Sequence, residues 1–342
     1  MRLNLYPLVQ KLLFLLDAET AHGLSLRVLD VLYRCGLIRL VANAPIVSHK
    51  PVKLMGIEFP NRVGLAAGLD KNGEHIDALA ACGFGFVEIG TVTPVPQPGN
   101  EKPRLFRLVN DHAIINRMGF NNHGVDYLVE RVKQSRRDCV LGINIGKNKL
   151  TPNEHAVDDY VTCLQKVYAF ADYVTVNISS PNTPGLRELQ HGDALRTLLL
   201  ALKQAQAKLQ QQHARSVPLL VKIAPDLSDA EIESLASIFI ELSIDGVIAT
   251  NTTNDRAGLT HSELAKEQGG LSGQPLTHQA DHVLSVLVTA LQGRLPVIAA
   301  GGVMSADDAR RKIELGAALV QVYTGFIYRG PVLVSAIASA LD

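Results

Sequence analysis

The chain has 342 residues, which suits either two domains or one large α/β barrel with an appendage. Its 33 basic and 33 acidic side chains give a formal net charge of zero, which argues against non-specific binding of nucleic acid. A hydrophobic fraction of 47% against 19% charged residues excludes a disordered chain, and four separated cysteines without a CxxC pair argue against disulfides and metal cages.

The first predicted elements are two short apolar helices, over about 7–16 and 18–35, with Asp17 as the N-cap of the second. The apolar run at 12–16 is far shorter than the ~20 residues that a membrane-spanning helix needs, and no cleavable signal peptide is indicated. The residues alone leave two interpretations of this helical hairpin open. It either packs on the main domain as a structural element or serves as a module for a membrane surface or a lipophilic substrate.

A loop at 43–45 predicts a domain boundary between residues 1–45 and 46–342. Beyond residue 60, short β-branched runs alternate with amphipathic stretches, as in a chain of strand–helix units. The predicted strands cover 62–66, 86–89, 140–145, 173–177, 219–223, 246–250, 296–300 and 319–322. The predicted helices lie near 73–82, 123–137, 156–170, 193–213, 228–242, 276–292, 305–315 and 332–341.

Strands that are separated by helices pair in parallel, and eight such units predict a (β/α)8 barrel, the TIM-barrel class of α/β folds, behind the small N-terminal hairpin. A doubly wound sheet is the alternative. It is disfavoured because no predicted strand is followed by a GxGxxG sequence and no Walker A sequence occurs.

A glycine or a polar residue stands at the C-terminal end of each predicted strand. Any one of these residues could simply cap the next helix. Capping does not explain eight such ends with two lysines among them, so we expect a ligand site at the C-terminal face of the barrel. The residues are Gly68, Asp70, Lys71, Thr91, Asn144, Asn177, Lys222, Thr250, Asn251, Gly301, Gly302, Tyr323 and Thr324.

Two long loops and a glycine cluster add to this expectation. The connection from 91 to 120 contains four prolines and a predicted hairpin of 104–108 with 113–115, and loops of that length are usually functional. The loop 177–185 is rich in hydrogen-bonding side chains. The loops after the last two strands, which hold Gly301-Gly302 and Tyr323-Thr324, together with Gly273 predict a phosphate site for a phosphorylated cofactor.

One pair of residues has the spacing of metal ligands. His278 and His282 stand four residues apart on a predicted helix, but the glutamate of the metalloprotease pattern is missing. No metal is therefore predicted.

Several motifs in chain order carry a resemblance: AAGLDKNGE, EIGTVTP, PRLFRL, INRMGFNN, GINIGKNK, VNISSPNTPGLR, KIAPDL, TNTT, GGLSG and AAGGV. Along essentially its whole length the sequence resembles the dihydroorotate dehydrogenase family, and within it the quinone-dependent class 2 enzymes. Two features indicate the class. Ser180 stands where class 1 enzymes carry a catalytic cysteine, and class 1 enzymes lack the apolar N-terminal hairpin.

The resemblance implies oxidation of (S)-dihydroorotate to orotate in pyrimidine (UMP) biosynthesis, with one FMN per chain as hydride acceptor and Ser180 as the catalytic base. The implied FMN contacts are Ala67, Gly68, Lys71, Thr91, Asn144, Asn177, Lys222, Thr250, Gly273, Gly302, Tyr323 and Thr324. The implied substrate contacts are Lys71, Asn116, Arg117, Met118, Gly119, Phe120, Asn177, Asn182, Asn251 and Thr252.

The resemblance also implies a final electron acceptor, ubiquinone or menaquinone, near His22, Arg107 and Tyr323. The hairpin would then rest on the cytoplasmic face of a bacterial cell membrane as a peripheral contact, and a monomer is favoured. Competing functions are a class 1 dihydroorotate dehydrogenase that uses fumarate or an iron–sulfur partner, another FMN barrel oxidase, and a non-catalytic binding protein on the same scaffold.

Overall fold

The structure is a computed structural model that describes residues 6–42, 51–136, 138–260 and 263–342. Its helices are α1 (Tyr6–Phe14), α2 (Ala18–Arg34), α3 (Ile76–Ala80), α4 (Val125–Gln134), α5 (Ala156–Val167), α6 (Gly192–His213), α7 (Asp229–Glu241), α8 (Thr277–Leu291), α9 (Ala306–Glu314), α10 (Thr324–Arg329) and α11 (Pro331–Ala340). Its strands are β1 (Val52–Leu54), β2 (Ile57–Phe59), β3 (Val63–Leu65), β4 (Phe86–Val92), β5 (Leu105–Leu108), β6 (Ala113–Asn116), β7 (Val140–Ile145), β8 (Tyr173–Asn177), β9 (Leu219–Ile223), β10 (Gly246–Ala249), β11 (Gly270–Gly273), β12 (Val297–Ala300) and β13 (Leu319–Val322).

Within the described ranges, eight parallel strands close into a barrel in the order β3-β4-β7-β8-β9-β10-β12-β13. The pairing of Val320 in β13 with Val63 in β3 closes the ring between the last strand and the first. Parallel neighbours need crossover connections, and helices supply them. The predicted (β/α)8 barrel is therefore confirmed, and the doubly wound sheet, which is open, is excluded.

The N-terminal end of the barrel is closed by an aromatic plug. Phe86 stacks edge-on against Phe59 at 5.3 Å and against Tyr173 at 6.4 Å between ring centroids. A Cβ atom at Gly64 would lie 2.2 Å from the Phe86 ring, so only glycine leaves room for this ring. The antiparallel hairpin of β1 and β2 packs its apolar residues against the plug, and sequence analysis did not foresee it.

A second small sheet borders the opposite end of the barrel. The predicted hairpin is confirmed as β5 paired with β6, in which Arg107 lies opposite Ile114. The glycine-rich segment that forms β11 adds a third strand to β6. Sequence analysis predicted no strand here, and glycines are uncommon inside strands.

One predicted helix is much shorter than expected. The segment predicted as helical over 73–82 is helical only in α3. The buried carboxylate of Asp70 accepts the backbone N–H groups of Glu74 at 3.0 Å and of His75 at 2.8 Å. These hydrogen bonds hold the preceding residues in a turn, so the helix begins three residues later than predicted.

The N-terminal helices α1 and α2 form the expected hairpin. Asp17 caps α2 as predicted, since its Oδ1 accepts the N–H groups of Glu19 at 3.0 Å and Thr20 at 2.9 Å. The side chains of Asp30 in α2 and His75 beside α3 meet at 2.7 Å, which ties the hairpin to the barrel. The expected boundary at 43–45 lies outside the described residues. No helix in the described part of the chain is long and apolar enough to cross a membrane.

Candidate active site

One cavity opens at the C-terminal ends of the barrel strands. Residues at or after the ends of β3, β4, β8, β9, β10, β12 and β13 line it, together with residues of β6, β11 and the loops beside them. Of the sequence-predicted FMN contacts, Ala67, Gly68, Lys71, Thr91, Asn177, Lys222, Thr250, Gly273, Gly302, Tyr323 and Thr324 line this cavity. The predicted convergence of strand ends is thus present in the structure.

The remaining predicted FMN contact, Asn144, is fully buried and joins the cavity wall through hydrogen bonds. Its Oδ1 accepts a hydrogen bond from Thr91 Oγ1 at 2.6 Å and another from Asn177 Nδ2 at 3.1 Å. Asn177 Nδ2 also donates to Thr91 Oγ1 at 2.9 Å. On the other side, Asn251 Nδ2 donates to Ser179 Oγ at 3.0 Å. The result is a connected floor of amides and hydroxyls.

Two lysines supply the positive charge of the cavity. Burial lowers the pKa of Lys71 to about 8, and the neighbouring charge of Arg104 adds to this effect. Lys71 Nζ donates to the carbonyl of Gly68 at 2.8 Å. Burial also lowers the pKa of Lys222, which the charge of Glu88 opposes. Among the described residues, no side chain forms a hydrogen bond or an ion pair with Lys222.

The described lining of this cavity contains no carboxylate. With two lysines and several amides, such a wall favours an anionic ligand that has many hydrogen-bonding edges.

Glycines allow close packing of the backbone in the cavity wall at the end of β11 and after β12. Gly302 has a φ of 73°, and a Cβ atom there would lie 2.3 Å from Thr277 Cα. Gly273 has a φ of 102°, and a Cβ atom there would lie 2.3 Å from the carbonyl oxygen of His112. The hydroxyls of Ser272 and Thr324 meet at 2.8 Å beside them. Backbone and hydroxyl groups without carboxylates fit the phosphate of FMN, and Lys222 fits the charge of its reduced ring.

Ser180 lies on the cavity wall in the loop after β8 and is 6% exposed. Its Oγ accepts the backbone N–H of Asn182 at 3.3 Å. A relay for the proton of Ser180 through the Thr183 hydroxyl, three residues later in the same loop, would need a hydrogen bond at Thr183 Oγ1. The buried Thr183 Oγ1 has no hydrogen-bond partner among the described residues, so that relay is not formed here.

The predicted substrate residues divide into two groups. Asn116, Met118, Gly119, Phe120, Asn182, Asn251 and Thr252 line the cavity with Lys71 and Asn177. The Arg117 side chain lies outside this group. It pairs with Glu267 at 2.6 Å and stacks over the Phe106 ring at 4.6 Å. The alternation of an extended chain explains this, because Asn116 and Met118 point inward and Arg117 points to the opposite face.

A second cavity, of about 230 Å³, lies between the helical hairpin and the barrel and is lined mostly by apolar side chains. His22, Arg107 and Tyr323, the three residues predicted for a quinone site, all line it. Tyr323 also lines the polar cavity, and its ring lies 3.4 Å from where a Cβ atom of Gly68 would stand. The two cavities are therefore neighbours that share one side chain.

The polar groups of the apolar cavity are neutral or already bonded. Burial, with the nearby Lys71 charge, lowers the pKa of His22 to about 3, so this imidazole is uncharged at neutral pH. Burial raises the pKa of Tyr323 to about 12, so its hydroxyl keeps its proton. Arg107 stacks over the Phe14 ring at 4.6 Å and donates to the carbonyls of Leu13, at 3.1 Å, and Leu16. It thus binds backbone carbonyls at the end of α1 and just beyond it.

Sequence analysis missed two charged residues of this region. Glu88, inside β4, is fully buried, and a charged residue within an apolar strand is a signal that could have identified it. Arg104 is 7% exposed and donates to Glu19 of α2 at 2.7 and 3.2 Å and to the carbonyls of Pro98 and Asn100. It links the hairpin to the 91–120 connection, and no local pattern reveals a contact between such distant segments.

One of the two histidines with metal-ligand spacing contacts a carboxylate. His282 Nε2 lies 2.7 Å from the Asp229 carboxylate. Within the described ranges, no group of three or more His, Cys, Asp and Glu side chains could hold a metal ion.

Comparison with known proteins extends these observations. The dihydroorotate dehydrogenase family model matches residues 50–342. The chain belongs to the dihydroorotate dehydrogenase family. A relative from Neisseria meningitidis serogroup C, named dihydroorotate dehydrogenase (quinone), is 56% identical over 98% of this chain and 99% of its own. One of the same name from Idiomarina loihiensis is 58% identical over 98% of this chain and 100% of its own. Since 337 residues are aligned, the similarity to this quinone-type relative includes the hairpin.

Solved structures of this family have the same architecture. The dihydroorotate dehydrogenase of Eimeria tenella in complex with ferulenol matches with a TM-score of 0.86 and 40% identity, over 95% of this chain and 90% of that one. Its ligand-free form matches with a TM-score of 0.85 and 41% identity, over 93% of each chain. The family resemblance predicted from the sequence motifs is confirmed.

Proposed function

We propose that this chain oxidises (S)-dihydroorotate to orotate with FMN as hydride acceptor, and that a membrane quinone, ubiquinone or menaquinone, takes up the electrons. The observation that carries this proposal is the pair of adjoining cavities. One is polar, cationic and free of carboxylates among its described residues, and the other is apolar, and they share Tyr323. A polar anionic substrate and a lipophilic acceptor each have a matching site.

The residues of the polar cavity divide the work of the first half-reaction. When bound, FMN supplies an acceptor for the hydride that leaves C6 of dihydroorotate. The backbone at Gly273 and Gly302 and the Thr324 hydroxyl hold its phosphate. Lys222, without a partner of its own among the described residues, stabilises negative charge near the ring. The Asn144 and Asn177 amides complete the floor.

The substrate residues bind the pyrimidine and its carboxylate. The Lys71 ammonium attracts the carboxylate, and the amides of Asn116, Asn182 and Asn251 can satisfy the donor and acceptor edges of the ring. Ser180 Oγ removes the proton from C5. A serine hydroxyl is a weak base, so the proton has to pass on from Ser180, and solvent reaching the cavity can receive it.

The hairpin serves the second half-reaction. Quinone carbonyls accept hydrogen bonds, which the neutral His22 and the protonated Tyr323 hydroxyl can donate. The outer face of the hairpin is apolar: Leu8, Leu12, Leu15 and Val31 are 59–83% exposed and do not line the apolar cavity. Such a face suits peripheral contact with a membrane surface, here the cytoplasmic face of a bacterial cell membrane. We assign one FMN to each chain and a monomeric state.

Anaerobic spectroscopy of the purified protein tests this function. We expect one FMN per chain, loss of the oxidised flavin absorbance on addition of dihydroorotate, and its return with ubiquinone but not with fumarate. Return with fumarate at a comparable rate would point to class 1 chemistry. A protein purified without flavin, and unable to take it up, would contradict the enzymatic function altogether.

A further inference from the structure

Glu88 is the only carboxylate, in the described part of the chain, that bonds to the amide floor of the polar cavity, and it is fully buried in β4. Its Oε1 accepts a hydrogen bond from Asn144 Nδ2 at 2.8 Å. Its Oε2 accepts from Tyr173 OH at 3.0 Å and from Gln321 Nε2 at 2.8 Å. Three donors on two oxygens are the arrangement that stabilises an ionised carboxylate, which can only accept.

This acceptor determines the orientation of Asn144. Because a carboxylate cannot donate, the Asn144 amide turns its nitrogen toward Glu88 and its oxygen toward the cavity. That oxygen then accepts from Thr91 Oγ1 at 2.6 Å and from Asn177 Nδ2 at 3.1 Å. An amide turned the other way would set two acceptor oxygens against each other at Glu88 and two donor nitrogens against each other at Asn177.

The orientation passes on to the substrate side of the floor. The Thr91 hydroxyl has one proton, which it gives to Asn144, so its oxygen accepts from Asn177 Nδ2 at 2.9 Å. With its nitrogen engaged, Asn177 turns its oxygen toward Ser179 N at 3.3 Å and Asn251 Nδ2 at 3.4 Å. This one carboxylate thus determines which partner donates and which accepts in each hydrogen bond from the barrel interior to the substrate residues.

Glu88 also supplies a negative charge, which the cavity lining itself lacks. The described lining holds two lysines and no carboxylate. Glu88 acts on Lys222 through the barrel interior, and it opposes the effect of burial on the pKa of that lysine. In a buried site such a charge is weakly screened and changes the energy of any nearby redox group.

We propose that Glu88 is a positioning residue that orients the Asn144–Thr91–Asn177 floor and, through its charge, sets the reduction potential of the bound flavin. This proposal rests on the proposed function, because it concerns FMN. Glu88 touches neither flavin nor substrate in this scheme; it acts through Asn144 and Lys222.

The test compares Glu88→Gln with a matched control, Tyr173→Phe. The first variant keeps the shape, removes the charge and replaces one acceptor oxygen with an amide donor, and the second removes one hydrogen bond to Glu88 and keeps the charge. The measurement is the midpoint potential of the bound flavin by spectroelectrochemical titration, with FMN affinity and thermal unfolding recorded beside it. The wild-type holoenzyme is measured first, so a failure of the proposed function would appear there as a missing flavin.

We expect Glu88→Gln to make flavin reduction easier by at least about tenfold in the equilibrium constant, which is about +30 mV for a two-electron couple. The potential should rise because Lys222 then stabilises the reduced flavin without a compensating negative charge nearby. Tyr173→Phe should leave the potential unchanged while it lowers the unfolding temperature. If both variants lose stability and neither moves the potential, Glu88 is only structural and the proposal is overturned.

A second variant covers the case in which Glu88→Gln does not fold. Glu88→Asp keeps the charge but draws the acceptor back from Asn144 by one methylene. We expect weaker FMN binding, because the floor loses its fixed orientation, and a potential close to that of the wild type, because the charge is kept. A folded Glu88→Asp protein with wild-type FMN affinity would overturn the proposal.

Discussion

The two cavities of this protein differ in chemistry although they share a side chain. The polar cavity at the barrel mouth has two lysines, an amide floor and no carboxylate in its described lining. The cavity beneath the hairpin is lined mostly by leucines, valines and phenylalanines, and its few polar groups are neutral or already bonded. Tyr323 stands between them. The comparison indicates that a polar and a lipophilic reactant can reach the same centre from separate sides, and that changes on one side should spare the other.

The largest expected effect lies wholly in the polar cavity. Ser180→Ala removes the proposed base, so we expect flavin reduction by dihydroorotate to slow by roughly 10²–10⁴-fold while FMN and orotate still bind. Ser180→Cys should retain more activity, since a thiolate is a stronger base and nucleophile than a hydroxyl. Stopped-flow flavin bleaching measures both variants. Near-normal reduction by the alanine variant would remove Ser180 from the mechanism.

The second prediction concerns the hairpin and the apolar cavity beneath it. Deletion of residues 1–45 should leave flavin reduction by dihydroorotate largely intact, because the polar cavity is built by the barrel and its loops. Turnover with long-chain ubiquinone and membrane association should be lost, while a water-soluble dye still accepts electrons. The measurements are steady-state rates with the two acceptors and flotation with vesicles.

The deletion also removes Glu19, the partner of the buried Arg104, and this needs its own control. Leaving a buried cation unpaired costs about 3–5 kcal/mol and could loosen the loop that Arg104 holds. The full-length variant Glu19→Gln removes this ion pair while both helices stay in place, so it measures the effect of the lost pair alone. If the deleted protein still reduces membrane-embedded quinone at the full-length rate, the hairpin has no role at the acceptor step.

The barrel and the long-range contacts around its site differ in how well the sequence predicts them. The barrel and the convergence of its strand ends follow from hydrophobic periodicity, which depends on near neighbours. Glu88 stands out locally as a charge within an apolar strand, but its partners, like those of the Arg104–Glu19 pair, lie on segments far apart in the chain, which no local pattern encodes. The β1–β2 hairpin is too short to give a strand signal. The outward direction of Arg117 was predictable from strand alternation, but the resemblance placed it with its neighbours.

The third prediction separates the two lysines of the polar cavity. Lys71→Ala should weaken orotate binding by about 2–5 kcal/mol, the range found when one partner of a buried charge pair is removed. Lys222→Ala should instead reduce FMN retention or lower the flavin potential, because reduced flavin loses its nearby cation. Orotate titration and FMN content measure the two outcomes. Equal losses of orotate affinity with unchanged flavin properties would contradict this division.

The smallest expected effect is a pH dependence on the polar side. The Lys71 pKa is lowered to about 8 by burial, so in the free enzyme its charge is present below pH 8 and is lost as the pH rises through that value. Binding of the substrate carboxylate needs the charged form. We therefore expect kcat/KM for dihydroorotate to be about tenfold lower at pH 9 than at pH 7, with the fall centred near pH 8. His22, with its pKa lowered to about 3, does not titrate in this range, so the acceptor half-reaction should not share the fall.

Lys71→Arg is the control, because a guanidinium stays charged and should remove this decline even if it binds substrate less well. A wild-type profile that stays flat to pH 9, or an arginine variant that declines in the same way, would show that Lys71 does not bind the substrate as a cation.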